Sequence, residues 1–394
     1  MIQRDYLVVG AGIAGVHACQ AIRQYDPKGT LTLVSDDFLP PHRHPALDKN
    51  WLSADSAYVQ TADLIPAEWF KKHQVELRLG TLVTQFNIDR RLAVLATGQT
   101  IEFKKALLAT GWRSRRPQIA GYTLGNIIYP RTCHDLHAVR ETVAGEKNSV
   151  VIGSGLTGLE VASALKSEGY GIILLTRDRW VLENQLDPDT AAWLTEYAAA
   201  QGLKLMLQEN LNGFEGKTVL KNIQLKSGTR FAAGMAIVAL GSEPDLRLVT
   251  NTPLSSPNGC PVNEYLETDE KGIYAAGPIA LYPDRIFGGV RRWNYVSCAE
   301  QTGLTAGANI TGRKRQKFEY LPSFDLQFFD LHLRFLGDFS KPILRANLSG
   351  ERDKKSFTAL YQQGDKTYAA VLVNRPPEEA DAIAAQIRES HKVA

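Results

Sequence analysis

At 394 residues the chain is too long for a single hydrophobic core and requires two or three domains. Apolar residues at 44% and charged residues at 22% exclude a disordered or fibrous chain. Lys and Arg number 45 against 42 Asp and Glu, and a net charge of +3 does not by itself imply a nucleic-acid partner.

From the N-terminus, Met1-Ile2-Gln3-Arg4-Asp5 runs straight into a strand-like segment with no signal-peptide core, which gives a cytoplasmic expectation. No stretch approaches the roughly 18 apolar residues that a membrane span needs. Tyr6-Leu7-Val8-Val9 reads as a strand, Gly10-Ala11-Gly12-Ile13-Ala14-Gly15 as a tight turn, and the run to Gln24 as a helix. A second apolar strand, Leu31-Thr32-Leu33-Val34, closes on Asp36-Asp37. Strand, glycine turn, helix and parallel strand with an acid at its end form a dinucleotide-binding pattern. Gly10 permits the turn, Gly12 lets the backbone approach a pyrophosphate, and Gly15 lets helix and strand pack closely. The helix N-terminus offers N–H groups and a positive dipole end to phosphate, and Asp36 is placed to accept from ribose hydroxyls. A later strand ends Ala109-Thr110-Gly111.

The pattern then recurs. Ser149-Val150-Val151-Ile152 leads into Gly153-Ser154-Gly155-Leu156-Thr157-Gly158, a helix from Leu159 to Ser167, and a strand Ile172-Ile173-Leu174-Leu175. Ala236-Ile237-Val238-Ala239-Leu240-Gly241 repeats the later glycine-closed strand. Two such units imply two dinucleotides, and hydride transfer between a nicotinamide and a flavin is the simplest reason to hold both. Near the C-terminus, Ser356–Tyr361 and Thr367–Val373 read as two strands around Gln363-Gly364-Asp365-Lys366, before a final helix opened by Pro376-Pro377-Glu378-Glu379. Cys19, Cys133, Cys260 and Cys298 lie far apart, so buried thiols are expected rather than a disulfide framework, a zinc site or a dithiol. His134 and His137 have no third ligand nearby in sequence, and no metal is expected.

Together the two fingerprints, Ala109-Thr110-Gly111 and Gly272-Ile273-Tyr274-Ala275-Ala276-Gly277 resemble the FAD-dependent pyridine nucleotide oxidoreductases. Pro41-His42-Arg43-His44-Pro45-Ala46-Leu47-Asp48-Lys49 and the stretch from Phe287 to Gly312 are most similar to the ferredoxin and rubredoxin reductase and apoptosis-inducing-factor-like branch. The resemblance implies an α/β fold with two Rossmann-like dinucleotide-binding domains and a small α+β C-terminal domain. It implies a FAD domain at 1–113 and 242–315, an NAD(P) domain inserted at 114–241, and a C-terminal interface domain at 316–394. Carried over position by position, it gives Gly10, Gly12, Ala14, Gly15, Asp36, Arg43, Lys49, Ala109, Thr110, Gly111, Gly277 and Pro278 as FAD contacts. Gly153, Gly155, Leu156, Thr157, Gly158, Thr176, Arg177 and Gly241 become NAD(P) contacts, and Glu160 a cofactor contact at the flavin's redox end. Lys49 and Glu160 are the implied catalytic pair beside the flavin.

Relatives that reduce disulfides carry two cysteines in the stretch corresponding to His42 to Lys49, which here holds none. Electrons must therefore leave to an external acceptor, and a small iron–sulfur or rubredoxin-type carrier is the implied partner. Arg313, Lys314, Arg315 and Lys317, together with Arg291 and Arg292, are candidate docking cations for an acidic carrier. Thr176 stands where enzymes using NADH usually place an acid, and Arg177 or Arg179 is placed to pair with a 2′-phosphate, which leans the choice to NADPH over NADH. Asp178 and Arg179 keep NADH open.

His44, Asp48, Pro278, Asn294 and Asp325 depart from the family pattern near the expected flavin, and Trp293 and Tyr295 are candidates to cover the ring. Two other readings follow. One is an NAD(P)H oxidase, quinone reductase or monodehydroascorbate-type reductase. The other is a scaffold or regulatory protein with a weakened flavin site. A homodimer is compatible with the chain, and nothing in it establishes one.

Overall fold

The computed structural model describes residues 1–42, 64–145, 148–341 and 345–392. They fall into two compact units, one built from 1–42, 64–113 and 243–322 and the other from 114–145, 148–242, 323–341 and 345–392. Both are α/β, and one Rossmann unit is inserted in the sequence of the other.

In unit 1 the opening strand β1 (Ile2–Val9) leads through the first glycine turn to helix α1 (Ile13–Tyr25) and then to β2 (Leu31–Val34). β1 pairs in parallel with β2 on one side and with β3 (Thr100–Leu108) on the other. β3 has nine residues because its far edge serves two neighbours. Its first half takes antiparallel Leu92–Leu95, and its last three residues take parallel Ile273–Ala275. That second pairing carries Gly277 to the C-terminal end of the sheet, where the glycine turn lies. Leu7 and Val8 of β1 are fully buried, each worth roughly 1.5–3 kcal/mol of burial.

Unit 2 repeats the scheme with β4 (Ser149–Ile152), α2 (Leu156–Ser167), β5 (Ile172–Leu175) and β6 (Met235–Val238). All five strands of its central sheet run parallel, in the order Lys204–Met206, β5, β4, β6, Ile127–Ile128. α2 begins three residues before the helix start expected from sequence, because its first turn is built from the fingerprint itself.

What packs on the fingerprint helix differs between the units. In unit 1, α1 lies against α3 (Val296–Ile310), and a Cβ added at Gly303 or Gly307 would come within 2.3 or 2.4 Å of the carbonyl oxygens of Ala14 and Ala18. Small residues thus bring two helix backbones into contact along parallel paths. In unit 2, α2 packs on a strand of the C-terminal sheet, which comprises β7 (Ser323–Phe328), β8 (Leu331–Gly337), β9 (Asn347–Glu351), β10 (Ser356–Gln363) and β11 (Lys366–Val373) in the order β7-β8-β11-β10-β9. β10 and β11 form the expected hairpin around Gly364 at φ +58°, and α4 (Pro377–Ser390) follows with Glu378 and Glu379 in its first turn. One continuous core joins Leu159, Leu186, Leu194 and Tyr197 to Leu326, Phe328, Phe335 and Phe357. Trp193 meets Phe357 edge-on at 5.0 Å, and the Tyr197 hydroxyl donates to Asp330.

Candidate nucleotide-binding sites

Each unit builds a cradle at the carboxyl end of its parallel strands. Gly10 sits at φ +108°, a conformation that disfavours any side chain, and a Cβ there would be 2.2 Å from the Ala109 oxygen. A Cβ on Gly15 would fall 1.9 Å from the Gly10 oxygen, so the helix can start this close to the turn only with glycine. Gly12 is the opposite case. It caps α1, nothing lies within 4 Å of where its Cβ would be, and no side chain among the described residues caps the helix. The first-turn N–H groups thus carry no side-chain cap, the arrangement by which a helix N-terminus receives a phosphate.

Unit 2 matches this bond for bond. Gly153 has φ +114° and a Cβ position 2.4 Å from Ala239 O, and a Cβ on Gly158 would sit 1.9 Å from Gly153 O. Gly155 caps α2 without a side-chain bond and also faces open space. Gly10 N–H donates to Val34 O at 2.8 Å, and Gly153 N–H to Leu175 O at 2.9 Å. Ala109 N–H donates to Val9 O, and Ala239 N–H to Ile152 O, both at 2.8 Å. Gly111 and Gly241 close the third strands at φ +77° and +89°.

Beyond the second strand the same ladder fixes which residues correspond. Ser35 N–H donates to Arg78 O and Thr176 N–H to Met206 O, each at 2.9 Å, while Thr81 N–H donates to Ser35 O and Glu209 N–H to Thr176 O. Thr176 is therefore the counterpart of Ser35, and Arg177 is the counterpart of Asp36. Asp36 is exposed at the mouth of its cradle. The hydrogen bond to Asp245 first, and then the charges of Asp245 and Asp36, hold the Arg247 guanidinium above its ordinary range against burial. Arg247 bonds both Asp245 oxygens at 2.8 and 2.6 Å, and the Asp245 backbone ties back to Thr110 and Gly111. Sequence reasoning missed this pair, because its only signal is an acid and a base two residues apart after a glycine turn.

Elsewhere in unit 1, Ala14 is buried, and its methyl lies 3.0 Å from the Cβ position of Gly277, so its side chain is a packing element. The Gly277 N–H donates to the Thr302 hydroxyl at 2.8 Å, and Pro278 has no N–H, so neither offers a backbone donor to a ligand. Trp293 and Tyr295 stack 5.7 Å apart at α3's N-terminal end. The Trp293 Nε1–H is buried without a partner among the described residues, a donor that a ligand would satisfy.

In unit 2, Leu156 and Thr157 occupy the first turn of α2, and Glu160 is half-buried on the same helix. Arg43, His44, Asp48 and Lys49 lie outside the described residues. Asp325 forms an ion pair with Arg334 at 2.7 Å. Arg313 pairs with Asp26 at 3.1 Å and Lys317 with Glu264 at 2.9 Å, beyond the C-terminal end of α3. Thirteen-residue α1 spans about 20 Å, so this basic run is that far from the glycine turn. Arg291 and Arg292 are at the turn end, where Arg292 donates to Pro278 O at 3.2 Å.

All four cysteines are buried, and no disulfide joins them. Burial pushes the thiols of Cys19, Cys260 and Cys298 up to about 12, so none of these three is a thiolate near neutral pH. Among the described residues no group of three or more His, Cys, Asp or Glu side chains is placed to hold a metal ion. No described helix is long and apolar enough to cross a membrane.

Residues 4–303 match the sequence family described as pyridine nucleotide-disulphide oxidoreductase. Putidaredoxin reductase of Pseudomonas putida is 29% identical over 384 residues, covering 95% of this chain and 89% of that protein. Monodehydroascorbate reductase of Pisum sativum is 25% identical over 401 residues, covering 96% and 93%. Among solved structures, the covalent putidaredoxin reductase–putidaredoxin complex superposes with a TM-score of 0.91 at 27% identity, over 99% of this chain and 94% of that one.

Proposed function

Because the chain belongs to the pyridine nucleotide-disulphide oxidoreductase family, we propose that it is a flavoprotein reductase that passes electrons from NAD(P)H through FAD to a small iron–sulfur or rubredoxin-type carrier protein. The observation that carries this reading is the pair of equivalent open cradles in one chain. We assign FAD to unit 1, held by Gly10, Gly12, Gly15, Asp36, Ala109, Thr110 and Gly111, and NAD(P)H to unit 2, held by Gly153, Gly155, Gly158 and the strand end at Thr176 and Arg177. Bound FAD supplies the conversion of a two-electron hydride into single electrons.

The chain's own residues position and shield. The first turns of α1 and α2 direct N–H groups at the pyrophosphates, and the buried Trp293 indole gives the flavin a donor. Lys49 and Glu160 are retained as the proposed pair beside the ring. There the Lys49 cation would stabilise negative charge on the ring, and the Glu160 carboxylate would fix the cation. His42 to Lys49 contains no cysteine and no two of the four buried cysteines form a disulfide, so the electron outlet is an external acceptor. Four cysteines without a disulfide also suit a reducing compartment, and we assign the cytoplasm. Of the two basic runs, Arg291 and Arg292 suit carrier docking better, because they lie at the cradle end of unit 1. Putidaredoxin reductase, similar over nearly the whole chain, supports a protein carrier.

The consumed Gly277 N–H and Pro278 predict a flavin held by fewer backbone bonds at that end. They favour a second reading in which flavin binding is weak and the role is regulatory. The experiment is an anaerobic absorption spectrum with each nucleotide added, followed by reduction of a ferredoxin, a quinone and oxygen. Flavin bands that bleach, with the ferredoxin reduced fastest, are expected. A protein that stays colourless after FAD is added would overturn the reductase reading, and faster quinone or oxygen turnover would overturn the carrier.

A further inference from the structure

The end of the second strand in unit 2 carries a polar cluster that unit 1 lacks. Ser154 replaces Ala11 at the second fingerprint position and is 2% exposed. Its hydroxyl bonds Thr176 Oγ1 at 2.9 Å and donates to Asp178 Oδ2 at 2.9 Å, and Thr176 Oγ1 also donates to Asp178 Oδ2 at 3.2 Å. The backbone geometry is shared, because Asp178 N–H meets Thr176 Oγ1 as Asp37 N–H meets Ser35 Oγ, both at 3.2 Å. The carboxylates then part. Asp37 accepts from the backbone N–H of Leu39 at 2.9 Å, whereas Asp178 is drawn inward by two hydroxyls.

We propose that the adenosine end of the unit 2 site selects a 2′-phosphorylated nicotinamide nucleotide, with Arg177 as the phosphate ligand and Asp178, pinned by Ser154 and Thr176, as its positioning residue. This rests on the assignment of a nicotinamide nucleotide to unit 2. Arg177 stands at the position equivalent to Asp36, is 79% exposed, and has its Nε 3.8 Å from Asp178 Oδ1. A guanidinium where unit 1 offers a carboxylate inverts the preference at the ribose from a pair of hydroxyls to a dianion. Asp178 is the nearby acid that would otherwise accept from ribose hydroxyls. Its Oδ2 is already engaged twice and its Oδ1 faces Arg177, so it orients the cation instead. Arg179 contributes less, since its guanidinium stacks over Trp180 at 4.4 Å.

The test is calorimetric binding of 2′,5′-ADP and 5′-AMP to the full chain, two probes that carry no nicotinamide and undergo no reduction. One to two charge-assisted bonds predict that 2′,5′-ADP binds about 10–100-fold more tightly than AMP. Arg177→Asp, which copies Asp36, is expected to abolish or reverse that ratio. Ser154→Ala is tolerated by the turn, as Ala11 shows in unit 1. It is expected to weaken 2′,5′-ADP several-fold and leave AMP unchanged, with Ser154→Thr restoring the loss. That rescue would not occur if Ser154 merely filled space. Equal affinity for the two probes, or tighter AMP, overturns the selectivity and leaves the nucleotide site standing. Binding of neither probe overturns the site and the selectivity together.

Discussion

The two Rossmann units share a turn whose hydrogen bonds agree to within about 0.1 Å, yet they support it differently. In unit 1, α1 is backed by another helix at backbone contact through Gly303 and Gly307. In unit 2, α2 is backed by a β-strand, with larger side chains from the shared core around it. The turn itself is fixed by backbone collisions that only glycine avoids, so it takes one form. The backing surface has only to be apolar and complementary, so it takes two. Local backbone geometry is repeated, while the packing around it is free to diverge.

Substitutions can break this comparison one unit at a time. The largest effect is expected from Gly15→Val and Gly158→Val, each of which drives a side chain into a carbonyl oxygen 1.9 Å from its Cβ. Each is expected to cost more than ~4 kcal/mol locally. Gly15→Val should yield colourless protein, and Gly158→Val a yellow protein that no nicotinamide nucleotide bleaches, as absorption spectra would show. Loss of flavin from both variants would mean that the units do not fold separately. Next, Gly303→Ala and Gly307→Ala should destabilise unit 1 by about 1–3 kcal/mol through overpacking, read as a lower urea midpoint. The midpoint should rise again on adding FAD if that unit binds it.

Gly12→Ala and Gly155→Ala sharpen the assignment of ligands. Neither Cβ meets an atom within 4 Å, so folding should be nearly unchanged. The methyl would occupy the pyrophosphate space, and dissociation constants should rise roughly tenfold, for FAD with Gly12→Ala and for nicotinamide nucleotide with Gly155→Ala. Titration of each ligand against each variant checks this, and the crossed result would reverse the assignment.

The smallest effect concerns pH. Burial pushes the Glu76 carboxyl up, but hydrogen bonds from Thr32, Arg4 and Arg78 outweigh it and bring it from 4.5 to about 2. Because the folded value is the lower one, its contribution is present above pH 4.5 and is lost as pH falls toward 2. Glu76→Gln should lower the urea midpoint of unit 1 at pH 7, and the difference from the native chain should shrink at pH 3.

Much of the fold was legible because its signals are local. The glycine spacing, the four-residue apolar strands and the Gly364 hairpin each report a conformation set by neighbours in sequence. The correspondence of Arg177 with Asp36 was less legible, since both strand ends carry acids and only the ladder to Arg78 and Met206 fixes the register. Ser154 was visible as a departure from Ala11, but its meaning depends on a residue 24 positions away. The core that joins Leu194 and Tyr197 to Phe328 and Phe357 could not be read at all. Apolar periodicity shows which face of an element is buried and leaves open what covers it.

That shared core bears on how such a chain can change over evolutionary time. The last five strands follow every nucleotide-binding element in sequence, as an appended cassette would. Deleting or exchanging them would strip Leu194 and Tyr197 of their cover and leave the Asp330 acceptor of Tyr197 behind with the lost piece. Recombination at residue 322 therefore yields a viable protein only when the incoming sheet presents side chains matched to that face. The C-terminal sheet and the Rossmann part of unit 2 are bound to drift as a pair, whereas the helix contact in unit 1 drifts on its own.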